Sequence, residues 1–137
     1  MIFKYRNIFI NGGKQKLNLI NESKEKVLSR YIKQFVDDSF SRYDKTNGGI
    51  NLMWCNFKRK DGEHLPIDCL NEQMNASKKV FYYDERTDSL FESYFNEICK
   101  NVSQLEPWEE IDALIFDDTF TWTIAITHEE FLIRISE

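Results

Sequence analysis

The residue types best suited to chemistry lie near the C-terminus, in two acidic turns. Asp117 and Asp118 form the first turn. His128, Glu129 and Glu130 form the second. Carboxylates beside an imidazole can perform general acid–base catalysis or bind a metal ion. The residues between the turns are typical of a strand, which rises about 3.4 Å per residue and keeps the turns about 20 Å or more apart. The two turns therefore do not predict one catalytic centre, and we assign no catalytic residue.

Neither histidine nor cysteine predicts a metal or cofactor site. His128 fails the zinc-protease pattern, because the residue four positions later is Leu132 rather than a second histidine. Cys55, Cys69 and Cys99 are scattered and form no C-x-x-C pair, so they suit neither zinc nor a disulfide framework. We therefore predict no metal and no cofactor. Reduced cysteines and the absence of a signal-peptide pattern predict a cytoplasmic protein.

The charge pattern is the most distinctive feature of the sequence. Residues 101–133 contain eight acidic residues and no Lys or Arg, although the whole chain has 18 basic residues. Such asymmetry can steer a basic protein partner by long-range attraction. The predicted partner-binding residues lie before or within turns and are Glu106, Glu109, Glu110, Asp117 and Asp118. The same carboxylates would be exposed if they only solvated turns, so the sequence leaves both interpretations open.

Binding to nucleic acid or to membranes is not expected. Lys58, Arg59 and Lys60 follow Trp54 and Phe57, and basic residues beside aromatic ones can bind single strands. The net charge of -5 opposes that use, because neutralising phosphates supplies most of the affinity for nucleic acid. No apolar run approaches the ~20 residues that a membrane-spanning helix needs.

Hydrophobic spacing predicts the helices that would position these residues. Apolar residues recur every three or four positions over 23–40 and over 89–102, which predicts two amphipathic helices. Ser89 and Glu92 match a capping box at the start of the second helix. A shorter helix is predicted over 67–74, where a proline precedes the first turn.

Alternation and turn signals predict the strands. The predicted strands are 8–10 and 17–19, which form a hairpin, and then 50–57, 80–83, 111–116, 120–127 and 131–135. The last three have short links and predict an antiparallel meander. Period-two alternation predicts that Phe120 and Trp122 lie in the core. It places His128 on the same face at the edge of the core, hydrogen-bonded to backbone.

Length and composition fit one α+β domain. The chain has 137 residues, of which 42% are hydrophobic and 15% aromatic, enough to form a packed core. The predicted helices are separate in sequence from the C-terminal meander, which indicates an antiparallel sheet flanked by two or three amphipathic helices. We predict a single domain over 1–137, with the N-terminal hairpin, 1–20, either part of it or an appended element.

The C-terminal residues carry a family resemblance. Residues 116–129 contain an Asp-rich turn, an aromatic-x-W-T strand and a closing T-H-E. They resemble the end of a family of small, uncharacterised bacterial proteins, a domain of unknown function. Residues 53–57 and 81–83 are similar to that family's W-x-x-F segment and aromatic strand. The resemblance implies a single bacterial cytoplasmic domain and implies no reaction.

Three functional hypotheses remain open from the sequence. The first is a non-enzymatic protein-binding module, of the immunity or antagonist kind, whose carboxylates meet a basic partner where phosphates would otherwise bind. The second is a small enzyme with a pocket formed by Trp122, Thr127, His128 and Glu129. The third is a structural or regulatory domain.

Overall fold

A seven-stranded sheet runs through the part of the chain that the structure describes. The computed structural model describes residues 18–20, 24–43, 49–106 and 108–136. The strands are β1 (Asn18–Ile20), β2 (Glu63–Pro66), β3 (Lys79–Asp84), β4 (Ser89–Tyr94), β5 (Ala113–Phe116), β6 (Trp122–Ile126) and β7 (Phe131–Ser136). They lie in the order β1-β4-β3-β5-β6-β7-β2, and each neighbouring pair is antiparallel.

Helices cover both faces of the sheet. One face packs against α1 (Lys24–Phe35) and a first 3₁₀ helix (Met53–Asn56). The other face packs against α2 (Phe95–Ser103) and a second 3₁₀ helix (Ile67–Glu72). Strands β5 and β6 are buried along their whole length, because both of their faces are covered. The structure therefore confirms the predicted α+β fold, with an antiparallel sheet flanked by amphipathic helices.

The C-terminal meander is present as predicted. Strand β6 pairs with β5 and β7, with Ala113 opposite Ile126 and Ile126 opposite Leu132. Trp122 is buried in the layer beneath α2, which confirms its predicted place in the core. Phe120 is buried on the opposite face, so its predicted shared face with Trp122 is wrong. Its φ of 53° rotates the chain out of the alternating strand pattern just before β6 begins.

The predicted helix over 89–102 is wrong in its first half. Those residues form β4, and the helix begins at Phe95. Leu90 faces one core layer and Phe91 faces the other, which is the alternation of a strand buried on both sides. The side chain of Asp84 accepts two backbone N–H groups of the turn between β3 and β4. This turn and the pairing with β3 outweigh the local capping-box pattern.

The predicted strand over 50–57 is also wrong. The segment contains the first 3₁₀ helix and only isolated bridges at its ends. The backbone N–H of Met53 donates to the carboxylate of Glu85, at 2.6 Å, rather than to a neighbouring strand. A buried carboxylate therefore replaces the strand ladder here.

The other predicted elements differ only in extent or lie outside the described residues. The helix predicted over 23–40 ends at Phe35, and the one over 67–74 is the shorter second 3₁₀ helix. The strand predicted over 80–83 is β3. Most of the N-terminal hairpin lies outside the described residues. No helix among the described residues is both long and apolar enough to cross a membrane.

Candidate functional site

Buried acidic side chains gather at one end of the sheet, which we call the His128 end. Asp84 ends β3 and lies opposite Ala113, the first residue of β5, which in turn lies opposite Ile126 at the end of β6. The antiparallel register therefore brings Glu85, Asp112 and His128 to the same edge, because each lies one or two residues beyond these paired positions. Asp84, Glu85 and Asp112 are all buried.

Asp112 is the centre of this group. Its side chain is fully buried, and Oδ1 accepts from Trp54 Nε1 at 2.8 Å and from the backbone N–H of His128 at 3.1 Å. Its Oδ2 accepts from Arg86 Nε at 2.6 Å. Burial alone would raise the pKa of Asp112, but hydrogen bonds from His128 and Trp54 and the charge of Arg86 outweigh it and lower the pKa. Asp112 is therefore ionised at neutral pH.

The His128 imidazole is oriented by this carboxylate. Its Nδ1 lies 2.8 Å from Asp112 Oδ1, and its ring lies 5.7 Å from the Trp54 ring, measured between centroids. Because the ionised carboxylate only accepts, Nδ1 carries the hydrogen and Nε2 is left as the acceptor of the neutral ring. The predicted hydrogen bond to backbone is wrong. A buried carboxylate outcompetes a carbonyl because the bond to it is charge-assisted.

A cleft of about 440 Å³ opens beside His128, and we call it the acidic cleft. Its apolar wall consists of Ile67, Val102, Leu105, Trp108 and Ile111. Its polar wall consists of Glu106, Glu109, Glu110, Thr127, His128 and Glu130. Trp108 is 59% exposed, which is unusual for so large an apolar side chain. The cleft thus combines carboxylates, an exposed indole and an apolar floor, a combination suited to a cation on an aliphatic stem.

The structure divides the predicted partner-binding residues into two groups. Glu106, Glu109 and Glu110 share the acidic cleft. Asp117 and Asp118 lie at the opposite end of β5, which places them about 15 Å away along a strand of four residues. The predicted set therefore does not form one continuous surface.

Two of these predicted contacts are also buried, contrary to the expectation that turns expose them. Asp117 is 5% exposed, accepts from the backbone and side chain of Thr119, and pairs with Lys78 at 3.1 Å. Burial raises its pKa, but the Thr119 and Lys78 bonds outweigh it and lower the pKa. Glu109 is 8% exposed and forms part of the cleft wall. Glu110 and Asp118 are exposed as predicted.

The alternative pocket predicted from the sequence does not assemble as proposed. Trp122 is buried at the start of β6, whereas Thr127 follows the end of that strand. The Thr127 hydroxyl donates to the carbonyl of Phe131 at 3.0 Å, which holds the turn before β7. Thr127 and His128 line the acidic cleft, but Trp122 does not. From the turn after β6, Glu130 rather than Glu129 lines the cleft.

Sequence reasoning missed Asp112, Trp108 and Arg86 as parts of the site. Asp112 interrupts the otherwise apolar run 111–116, and a charge inside a buried run requires a partner. That signal could have marked it. Arg86 comes from the turn after β3 and Trp54 from the first 3₁₀ helix, and neither carried a comparable local signal.

Neither cysteines nor clustered ligands add a second reactive centre among the described residues. All three cysteines are free, and burial raises the pKa of Cys99 to about 11. Within residues 18–20, 24–43, 49–106 and 108–136, no group of three or more His, Cys, Asp and Glu side chains is arranged to hold a metal ion.

Comparison with known proteins leaves the family resemblance a prediction. No protein-family model matches the chain, and no curated protein matches it.

Proposed function

We propose that this protein is a non-enzymatic binding module that captures a basic segment of a protein partner in the acidic cleft, as an immunity or antagonist protein does. The observation that carries the proposal is the placement of Glu106, Glu110 and Glu130 around a cleft that also contains an exposed Trp108. A Lys or Arg side chain entering the cleft would pair with the carboxylates, and the indole face would attract the same cation.

The electrostatic setting supports a cationic ligand. The described lining residues of the cleft include no Lys or Arg. Arg86 pairs with the buried Asp112 and, at 3.1 Å, with Glu110, so its one positive charge faces two carboxylates and this group keeps a net negative charge. Helix α2 ends at Ser103, next to the cleft, and the C-terminal end of a helix carries negative partial charge. Each of these features favours a positive group.

The apolar floor supports a side chain rather than a free ion. Ile67, Val102 and Leu105 line the same cleft as the carboxylates. Lys and Arg bury their methylene stems on such surfaces while the charged group pairs at the rim. The long-range attraction of the acidic residues would also speed the encounter with a basic partner.

The same charge argument supports the absence of nucleic-acid binding at this site. Negative carboxylates repel phosphates. The basic cluster elsewhere is largely engaged within the protein, since Arg59 pairs with Asp61 and donates to the carbonyl of Ser136, and Lys58 donates to the carbonyl of Lys33. Free cysteines support a cytoplasmic location.

Fluorescence anisotropy with a defined peptide tests the proposal. The probe is a labelled decapeptide with four Arg or Lys residues among Gly and Ser, and a Glu-substituted version serves as the negative probe. The cleft variant combines Glu106→Gln, Glu110→Gln and Glu130→Gln. The matched control combines Glu63→Gln, Glu72→Gln and Asp118→Asn, which are exposed carboxylates outside the cleft.

Both variants remove three negative charges. A difference between their affinities for the peptide therefore reports contacts in the cleft rather than the overall charge of the protein. We expect the cleft variant to lose at least about tenfold in affinity, since three exposed ion pairs together contribute about 1.4 kcal/mol or more. The control should lose much less, and added salt should weaken wild-type binding. Equal affinities of the two variants, or no binding of the basic probe by the wild type, would overturn the proposal.

A second candidate function, a small enzyme, rests on the Asp112–His128 pair. An ionised carboxylate that orients an imidazole with Nε2 left as acceptor is the arrangement of a general base. In this setting the substrate class would be a small cationic ester, attracted by the cleft. The test is hydrolysis of a panel of amine-bearing esters by the wild type and by His128→Gln. Turnover that the substitution abolishes in a folded protein supports an enzyme, and absence of turnover by the wild type rejects this candidate.

A further inference from the structure

A second depression lies between α2 and the second 3₁₀ helix, and we call it the α2 groove. It encloses about 610 Å³. Its apolar lining consists of Ile67, Leu70, Ala76, Phe95, Cys99 and Val102. Ala76 is exposed and Cys99 is half-buried, so the groove is open to solvent along the side of the helix.

The α2 groove and the acidic cleft form one concave surface. Ile67 and Val102 line both. The groove follows α2 from Phe95 to Ser103, and the cleft continues from Leu105 beyond the end of the helix. A helix of nine residues is about 13 Å long, so the apolar part and the acidic part lie within that distance of each other.

We propose that this joint surface binds a short amphipathic segment of the partner, with an apolar side chain in the α2 groove and a Lys or Arg side chain in the acidic cleft. This inference rests on the proposed function and specifies the segment that the cleft recognises. In an extended peptide, which rises about 3.3 Å per residue, the two side chains would be separated by about four residues or fewer.

Charge distribution fixes which part of the segment goes where. The α2 groove is flanked by Asp68 and Lys100, whose charges offset each other, so the groove itself selects for apolar surface. The acidic cleft contains four glutamates and the exposed Trp108. The bound segment must therefore carry an apolar residue and a basic residue at a set spacing. A uniformly basic peptide would not match the apolar groove.

The variant that tests the α2 groove is placed at an exposed lining residue, so that the core is left unchanged. Ala76→Trp would fill the α2 groove from an exposed turn without changing a core residue. Ser29→Trp adds the same bulk at an exposed site on α1, which packs against the other face of the sheet, and serves as the matched control. Thermal melts of both variants establish that each is folded before binding is measured.

The experiment begins with selection of a random decapeptide display library on the wild-type protein. Selected peptides are then synthesised in three forms: as selected, with the apolar residue changed to Ser, and with the basic residue changed to Gln. We expect each change to weaken binding at least about tenfold. We also expect Ala76→Trp to weaken binding of the selected peptide to the same extent as the change to Ser does. Combining the two changes should cause no further loss of affinity, because both remove the same contact. Ser29→Trp should leave the affinity unchanged.

The outcomes separate this inference from the proposed function. If the Ser-substituted peptide binds as tightly as its parent and Ala76→Trp has no effect, the inference is wrong and the proposed function stands. If no selected peptide depends on its basic residue or on the cleft glutamates, both fail. Sedimentation of the protein alone supplies the remaining outcome: dimerisation that Ala76→Trp abolishes would show that a second copy occupies the groove and would overturn the inference.

Discussion

The two ends of the sheet each place a buried aspartate beside a tryptophan, yet they differ in what surrounds the pair. At the His128 end, Asp112 accepts from Trp54 and connects three separate segments through Trp54, Arg86 and His128. At the other end, Asp117 is bonded mainly within its own turn, to Thr119, with Trp122 and Lys78 completing its partners. We call this second end the Asp117 end.

The two buried carboxylates differ in what they hold in place. Asp117 stabilises its own turn, and the depression that it lines together with Asp118 encloses only about 170 Å³. Asp112 holds His128 at the wall of that cleft, and exposed glutamates follow it around the opening. This contrast is why we assign the proposed binding surface to the His128 end rather than to the Asp117 end.

The largest expected effect concerns the tryptophans. Trp122→Ala should lower the free energy of unfolding by about 4 kcal/mol, because it removes a buried aromatic ring from the core. Trp54→Ala should cost about half as much or less, because Trp54 is only partly buried. Urea denaturation of both variants measures the difference. A loss below about 1 kcal/mol for Trp122→Ala would contradict its assignment to the core.

The next largest effect is the loss of stability when each buried aspartate is replaced. Asp112→Ala removes the acceptor of Trp54 Nε1 and the buried partner of Arg86, which keeps only the exposed Glu110, and should destabilise the fold by about 3 kcal/mol. Asp117→Ala should cost about 1 to 2 kcal/mol, since it removes mainly the bonds of one turn. Chemical denaturation at neutral pH is the measurement. Equal losses at the two ends would remove the proposed distinction between them.

The pH dependence of stability should separate the two ends further. Burial raises the pKa of Glu85 to about 8 from an ordinary value of 4.5, so between these values the folded state retains a proton that the unfolded state has released. Stability contributed by the His128 end should therefore fall as pH rises from 5 to 8. The pKa of Asp117 is lowered, so its contribution is lost only in acid, as its folded-state pKa is approached.

Glu85→Gln checks this pH dependence directly. The amide can still accept from the backbone N–H of Met53, but it does not titrate. Unfolding free energies of the variant should change much less than those of the wild type between pH 5 and pH 8. An unchanged slope in the variant would show that another group controls stability in this range.

The smallest expected effect is on stability in the cleft variant. Glu106→Gln, Glu110→Gln and Glu130→Gln together should change the free energy of unfolding by less than about 1 kcal/mol, because exposed ion pairs contribute little. The same variant should lose most of its affinity for a basic peptide. A large loss of stability would mean that these carboxylates hold the fold together, as Asp112 does.

The sequence predicted those parts of the fold in which local pattern and tertiary pairing agree. The alternation of β6 and β7 was correct because short links force these strands together. The 89–94 segment was mistaken for helix because it is buried on both faces, and apolar residues on both faces of a strand can mimic the three-and-four spacing of a helix. Local capping patterns carry no information on strand partners.

The site was predictable only in part, for a related reason. The run of like charges is visible in sequence order and drew attention to Glu106 and Glu110, which line the acidic cleft. Their role in binding a partner stays a prediction. The link from Asp112 to Arg86 joins residues 26 positions apart in the chain. The ion pair of Asp117 is made with Lys78, which directly precedes β3. No spacing rule reveals such contacts.

The most direct test of the binding claim is an NMR titration of the ¹⁵N-labelled protein with the basic decapeptide. The account predicts shifts of the Trp108 indole N–H and of the Glu110 and Glu130 amides, which lie at the acidic cleft. It predicts no comparable shift at Asp118, which is equally acidic and exposed but lies at the Asp117 end. Shifts centred on Asp118, or shifts of equal size at both ends, would contradict the assignment of the acidic cleft as the binding site.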